Sequence, residues 1–122
     1  MIEVAPAQLE PHVDVTRYEV SILPLGHRER SSWTLTVEYR GPDSWAVLWG
    51  GMALSSNDGF DYEPSSSNRD DDYKATHRFP LAQAILRAKR VAPKLTVNGW
   101  TAREVLAGRR DTPSARQAPE AP

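Results

Sequence analysis

From Ser32 to Trp49 apolar and polar residues alternate in two runs, broken by Gly41-Pro42-Asp43. In the first run Trp33, Leu35, Val37 and Tyr39 share one side, and Thr34, Thr36 and Glu38 share the other. Side chains on an extended chain point to opposite faces in turn, so this period fits a half-buried strand and not a helix. In the second run Trp45, Val47 and Trp49 alternate with Ala46 and Leu48, which are apolar as well. A strand apolar on both faces belongs in the middle of a sheet.

The flanking chain extends this pattern. In Val15–Ile22 the residues Tyr18, Val20 and Ile22 oppose Arg17, Glu19 and Ser21, which gives another half-buried strand; Pro24 and Gly26 end it before the charged turn His27–Arg30. Gly50-Gly51 reads as a bulge, with Met52–Leu54 resuming the same strand. Asn57-Asp58-Gly59 is a hairpin turn in which Asp-Gly supplies the positive φ, and Phe60–Glu63 is the return strand. Pro64–Asp72 reads as a polar surface loop and Tyr73–Phe79 as one more strand.

Helical spacing occurs once at length. From Pro80, Leu81, Ala84, Ile85, Ala88 and Ala92 recur on one face, with Val91 at its margin and Gln83, Arg87 and Arg90 opposite. Pro93 ends this helix, Lys94–Val97 reads as a short strand and Asn98-Gly99 as a tight turn. Thr101 to Glu104 has capping-box spacing for a short helix that Gly108 stops. The expected fold is α+β: a four- to five-stranded antiparallel sheet packed by one amphipathic helix, plus a short C-terminal helix. Trp33, Trp45 and Trp49 belong to the expected core, and Trp100 is expected half-buried. Residues 1–14 form an irregular N-terminal arm, 15–108 a single domain, and 109–122 a disordered tail rich in proline, alanine and polar residues.

Charge is distributed unevenly along the 122 residues. Residues 1–72 carry 5 Lys+Arg against 13 Asp+Glu, and residues 73–122 carry 10 against 3, so blocks of −8 and +7 compensate to −1. Such blocks serve either a charged partner or each other across one globule. With no cysteine, the chain has no disulfide framework, thiolate zinc site or thiol nucleophile. Its apolar runs are too short to span a membrane, and Met1–Pro6 lacks the basic and apolar regions of a signal peptide, so the expected location is cytoplasmic.

The stretch Trp45–Leu106 resembles small uncharacterised proteins of actinobacteria and their bacteriophages. The residues that carry the resemblance are WAVLWGGMALSSNDGFDYEP, the RDDDY loop, THRFPLAQAI and VNGWTAREVL, about half of the chain. It implies a phage or mobile-element accessory protein acting inside a bacterium.

Two macromolecular sites are candidates. Asp58, Asp61, Asp70, Asp71 and Asp72, with Glu63, fall within a short acidic segment suited to docking on a basic protein partner, such as a DNA-binding host protein. Calcium is the other use of such a cluster, but serine precedes Asn57 where an EF-hand loop needs aspartate. Arg87, Arg90 and Lys94 follow helical spacing with Lys89 beside them and Arg103 further on, a row that can contact the phosphates of a nucleic acid. Catalytic signatures are sparse. His12, His27 and His77 lack metal-ligand spacing, no G-x-S-x-G elbow occurs, and Gly50-Gly51 lacks the partners of a phosphate loop. His77 with Asp70, Asp71 or Asp72 is the one candidate general base. No cofactor or metal is expected. The expectation is therefore a protein-binding module, with the hairpin around Asn57–Gly59 and the loop 65–72 as contact surfaces. A nucleic-acid binder is the alternative, and the open sheet edges make a homodimer a further expectation.

Overall fold

The computed structural model describes residues 9–108. Residues 1–8 of the arm and the 109–122 tail lie outside the described residues. Five strands form one antiparallel meander in the order β1 (Arg17–Ser21), β2 (Thr34–Gly41), β3 (Ser44–Trp49), β4 (Met52–Leu54) and β5 (Phe60–Tyr62). Helix α1 (Asp71–His77) follows, then α2 (Leu81–Val91), which a 3-10 turn over Ala92–Lys94 prolongs. A two-stranded ribbon, β6 (Thr96–Val97) and β7 (Trp100–Thr101), leads into α3 (Ala102–Leu106). The expected α+β fold is present, with five strands.

The register determines which face is buried. Val37 pairs with Tyr18 and Val47, and Tyr39 pairs with Trp45, so these side chains share one face. That face meets α2 through Ala84, Ala88 and Val91, which are buried, while Leu81 and Ile85 pack at the edge of the core. Alanine at the central positions lets the helix backbone approach Leu35, Val37 and Val47 closely. The opposite face carries Arg17, Glu19, Thr34, Thr36, Glu38 and Arg40 over β1 and β2. At the C-terminal end, Asn98 and Gly99 both take positive φ (52° and 82°) as a tight hairpin requires, and Thr101 and Glu104 form the expected capping box.

Five expectations need correction. Tyr73–Phe79 is not a strand. Asp70 caps a helix there, its side chain accepting from Tyr73 N at 2.8 Å, and Asp71 and Asp72 occupy the first turn, where carboxylates favour the helix. Only Arg78 and Phe79 are extended, and Phe79 bridges Trp45 on the flank of β3 that the short β4 does not reach. Gly50-Gly51 is a two-residue hairpin turn rather than a bulge, so β3 and β4 are antiparallel neighbours with Trp49 facing Met52. Gly50 alone takes positive φ, 63°, the pattern of a type II′ turn. The next hairpin is as expected: Asp58 of the Asp-Gly pair takes the positive φ, at 68°, while the Asn57 side chain accepts from Gly59 N at 2.9 Å. Trp100 is buried at 5 % exposure, and Trp49 is only half-buried, its Nε1 donating to Ser32 O at 3.2 Å. Arg87 does not point to solvent: its guanidinium lies 4.5 Å from the Phe79 ring centre.

Candidate functional site

The two charged sets singled out in the sequence meet each other. Arg90 Nη2 donates to Asp58 Oδ1 and Oδ2 at 2.9 and 3.0 Å, and Arg87 Nη1 donates to Asp58 Oδ1 at 3.2 Å and to Ser56 O at 3.2 Å. The tip of the β4–β5 hairpin is thus held against α2. The Arg90 hydrogen bond leads the effects that hold the Asp58 carboxyl below its ordinary value. Lys94 is exposed beyond α2, and Arg103 is exposed on α3. Asp61 receives the His77 ring, Asp70 caps α1, and Asp71 and Asp72 stand exposed in its first turn. Among the described residues no three acidic or histidine side chains gather so as to hold a metal ion.

Glu63 is the electrostatic centre on the other face. Its Oε2 accepts from Arg40 Nη2 at 2.7 Å and Nε at 3.2 Å and lies 3.4 Å from Arg69 Nη2. Its Oε1 accepts from Tyr73 OH at 3.0 Å and lies 3.1 Å from Arg78 Nη1. The Glu63 and Arg78 side chains are 8 % and 7 % exposed. Burial opposes the Glu63 charge, but Arg40, Arg78 and Tyr73 together outweigh it and hold the carboxyl below its ordinary value. Burial, followed by the bond to Glu63, raises the Tyr73 phenol. A carboxylate offers about four acceptor positions. All of them face donors here, so Glu63 ties β2, the loop after β5 and α1 together and has no lone pair left for chemistry. The signal was faint: Arg40, Arg69 and Arg78 are isolated in sequence, and nothing in their spacing points at Glu63.

His77 pairs with Asp61 rather than with Asp70, Asp71 or Asp72. Its Nε2 lies 2.9 Å from Asp61 Oδ2, and its Nδ1 lies 2.9 Å from Tyr73 O. Both ring nitrogens have hydrogen-bond partners within the protein, the ring stacks on Tyr73 at 4.0 Å, and the residue is buried. Thr76 Oγ1 also lies 2.8 Å from Nδ1 and 3.2 Å from the Asp72 and Tyr73 carbonyls, so the ring is enclosed by partners within the protein. A base needs a free lone pair directed at a substrate. This arrangement instead locks α1 to β5.

The remaining feature is apolar. Trp49 faces Met52 across one strand pair and Met52 faces Tyr62 across the next, so the three form a row on the helix-bearing side of the sheet. Tyr62 is 74 % exposed and Met52 39 %, and Trp49 leans on Phe60 with ring centres 5.7 Å apart. Beside the row a groove of about 320 Å³ runs between Trp49 and Phe60 on the sheet and Val91 and Leu95 at the end of α2, with Lys94 and Asp58 at its rim. Alternation in Phe60-Asp61-Tyr62 placed Phe60 and Tyr62 on one face, but taking Gly50-Gly51 as a bulge hid the alignment with Trp49.

Compared with family models, curated proteins and solved structures, the chain matches none. No described helix is long and apolar enough to cross a membrane.

Proposed function

We propose that the protein is a small macromolecule-binding accessory protein that acts by protein–protein contact through the row Trp49–Met52–Tyr62 and the groove beside it. The observation that carries this reading is the exposure of Met52 and Tyr62 where the cover of α2 ends, next to a groove lined by Trp49, Phe60, Val91 and Leu95. Aromatic residues and methionine are enriched in interface cores, and tryptophan and tyrosine among the residues that dominate binding energy. The groove fits a large apolar side chain of the partner, and Lys94 at its rim favours a partner with a carboxylate nearby. On the sequence resemblance alone, the chain is phage-encoded and the partner is a host protein of an actinobacterium.

Nucleic-acid binding through Arg87, Arg90, Lys94 and Arg103 is the competing proposal. It has less support, because Asp58 already occupies Arg87 and Arg90. The test uses wild-type protein and Tyr62→Ala as immobilised bait in actinobacterial lysate, together with a DNA titration at low salt. A saturable protein partner retained by wild type and lost with Tyr62→Ala, at unchanged unfolding midpoint, supports the interface. Equal retention by both baits, or no partner at all, refutes it. DNA binding abolished by reversing the charge of Arg87 and Arg90 would establish the competitor.

A further inference from the structure

The sheet has two edges, β1 and β5, and their backbones are poised differently. Tyr39 N donates to Thr16 O at 2.9 Å, continuing the register in which Arg17 faces Glu38 and Tyr18 faces Val37. In an antiparallel pair both main-chain groups of a residue point to the same side, alternating along the strand. Thr16, Tyr18 and Val20 therefore bond to β2, and Arg17 and Glu19 turn their N–H and C=O outward. No hydrogen bond of the described residues uses those outward groups. On β5 the bonds Ser55 N to Gly59 O and Glu63 N to Gly51 O, at 2.8 and 3.2 Å, turn Phe60 and Tyr62 outward.

We propose that the protein forms a two-fold dimer in which β1 pairs antiparallel with β1 of a second copy, Arg17 of each opposite Glu19 of the other. Charge selects this register. Outward groups must meet outward groups, so the neighbouring registers set Arg17 against Arg17 or Glu19 against Glu19. Only the intermediate one joins opposite charges, twice, with the two Tyr18 residues at the axis. At β5 full overlap sets Asp61 against Asp61, one neighbouring register sets Asp61 against Glu63 and the other sets it against Gly59, so none of the three joins opposite charges. One edge that joins opposite charges with its own copy and one that does not favour a closed dimer over a filament.

The pairing also completes a charge ladder on the polar face. Within one copy Arg30 lies 3.2 Å from Glu19, Arg17 lies 3.5 Å from Glu38, and Arg40 lies 3.4 Å from Glu38 and 2.7 Å from Glu63. Contact between Glu19 and the second copy's Arg17 joins the two ladders into one. The apolar row lies at the far side of the sheet from β1, so the dimer leaves both copies of the row exposed.

Sedimentation equilibrium tests the dimer without reference to any partner protein. Arg17→Glu and Glu19→Arg each place two like-charged pairs at the axis and weaken dimerisation about tenfold. An equimolar mixture of the two variants forms opposite pairs only and recovers the dimer. Tyr18→Cys provides a covalent readout in a chain with no other cysteine. Directly opposed residues that do not exchange hydrogen bonds sit about 4.5 Å apart at Cα, inside the roughly 4.4–6.8 Å span of a disulfide. Oxidation links Tyr18→Cys into dimers readily and Glu19→Cys slowly. A wild-type protein that stays monomeric at high concentration overturns the proposal, as does a dimer that both charge variants leave unchanged.

Discussion

Replacing Glu63 by glutamine keeps the shape of the side chain and removes its charge. Arg78 is as buried as Glu63, and Arg40 and Arg69 are mostly shielded, so three guanidinium groups lose a shared counter-charge. The amide can still accept at one oxygen, but its NH₂ turns a donor toward donors. Removing one partner of a buried ion pair costs about 3–5 kcal/mol, against about 0–1 kcal/mol for an exposed pair. In a domain stable by about 5–15 kcal/mol this is a large fraction. At about 4–8 °C per kcal/mol, the melting temperature falls by about 12–40 °C. Urea unfolding of Glu63→Gln beside Glu38→Gln gives the comparison, because Glu38 bonds Arg40 at 3.4 Å from a far more exposed position. The deficit also carries a pH signature. The Glu63 carboxyl is held below its ordinary value of 4.5, so the folded protein binds fewer protons than the unfolded chain as acid is added. Its contribution is complete above that value and is lost as pH falls through the lower, folded-state value. The gap between wild type and Glu63→Gln therefore closes in acid. A loss below about 1 kcal/mol, or a gap that persists in acid, would refute the role assigned to Glu63.

Two further substitutions probe local geometry. Gly50→Ala puts a side chain at φ 63° and is expected to cost about 1–2 kcal/mol in thermal melts, although nothing lies near the added carbon. Thr101→Ala breaks the capping box before α3 and is expected to cost about 1 kcal/mol, with hydrogen exchange rising first at 102–106.

Much of this architecture could be read from the chain. Alternation at Trp33–Tyr39, apolar spacing at Leu81–Ala88 and the Asn98-Gly99 and Thr101–Glu104 signals are local rules, and tertiary packing reinforces each of them. The errors arose where one pattern has two physical outcomes. Paired glycines after a strand serve a bulge or a two-residue turn, and the choice depends on whether the next strand has a partner to fold back on. Tyr73–His77 combines residues tolerated in strands and helices, and three aspartates at its start decide for the helix by capping and dipole. The aspartates read as a docking surface were in part a helix start signal. Glu63 is legible only as one acid of the acidic segment, not as the centre of an ion network. Its partners are brought in by β2, the loop after β5 and α1, and no spacing rule relates positions that only the fold makes neighbours.

The opposed charge blocks limit what recognition can use. Asp58 with Arg87 and Arg90 brings the acidic and basic halves together, and Glu63 with Arg78 does so again in a drier setting. A charge already answered inside the molecule has little field left to attract a distant partner, especially at physiological ionic strength, where screening acts over about 8 Å. Affinity must then come from surface that folding leaves unsatisfied. On this molecule that surface is of two kinds: the apolar row Trp49–Met52–Tyr62, and the outward backbone of β1. They lie on opposite sides of the sheet and differ in chemistry, so one can serve a foreign side chain while the other serves a second copy. Variants at Tyr62 and at Arg17 should separate the two functions without disturbing the core between them.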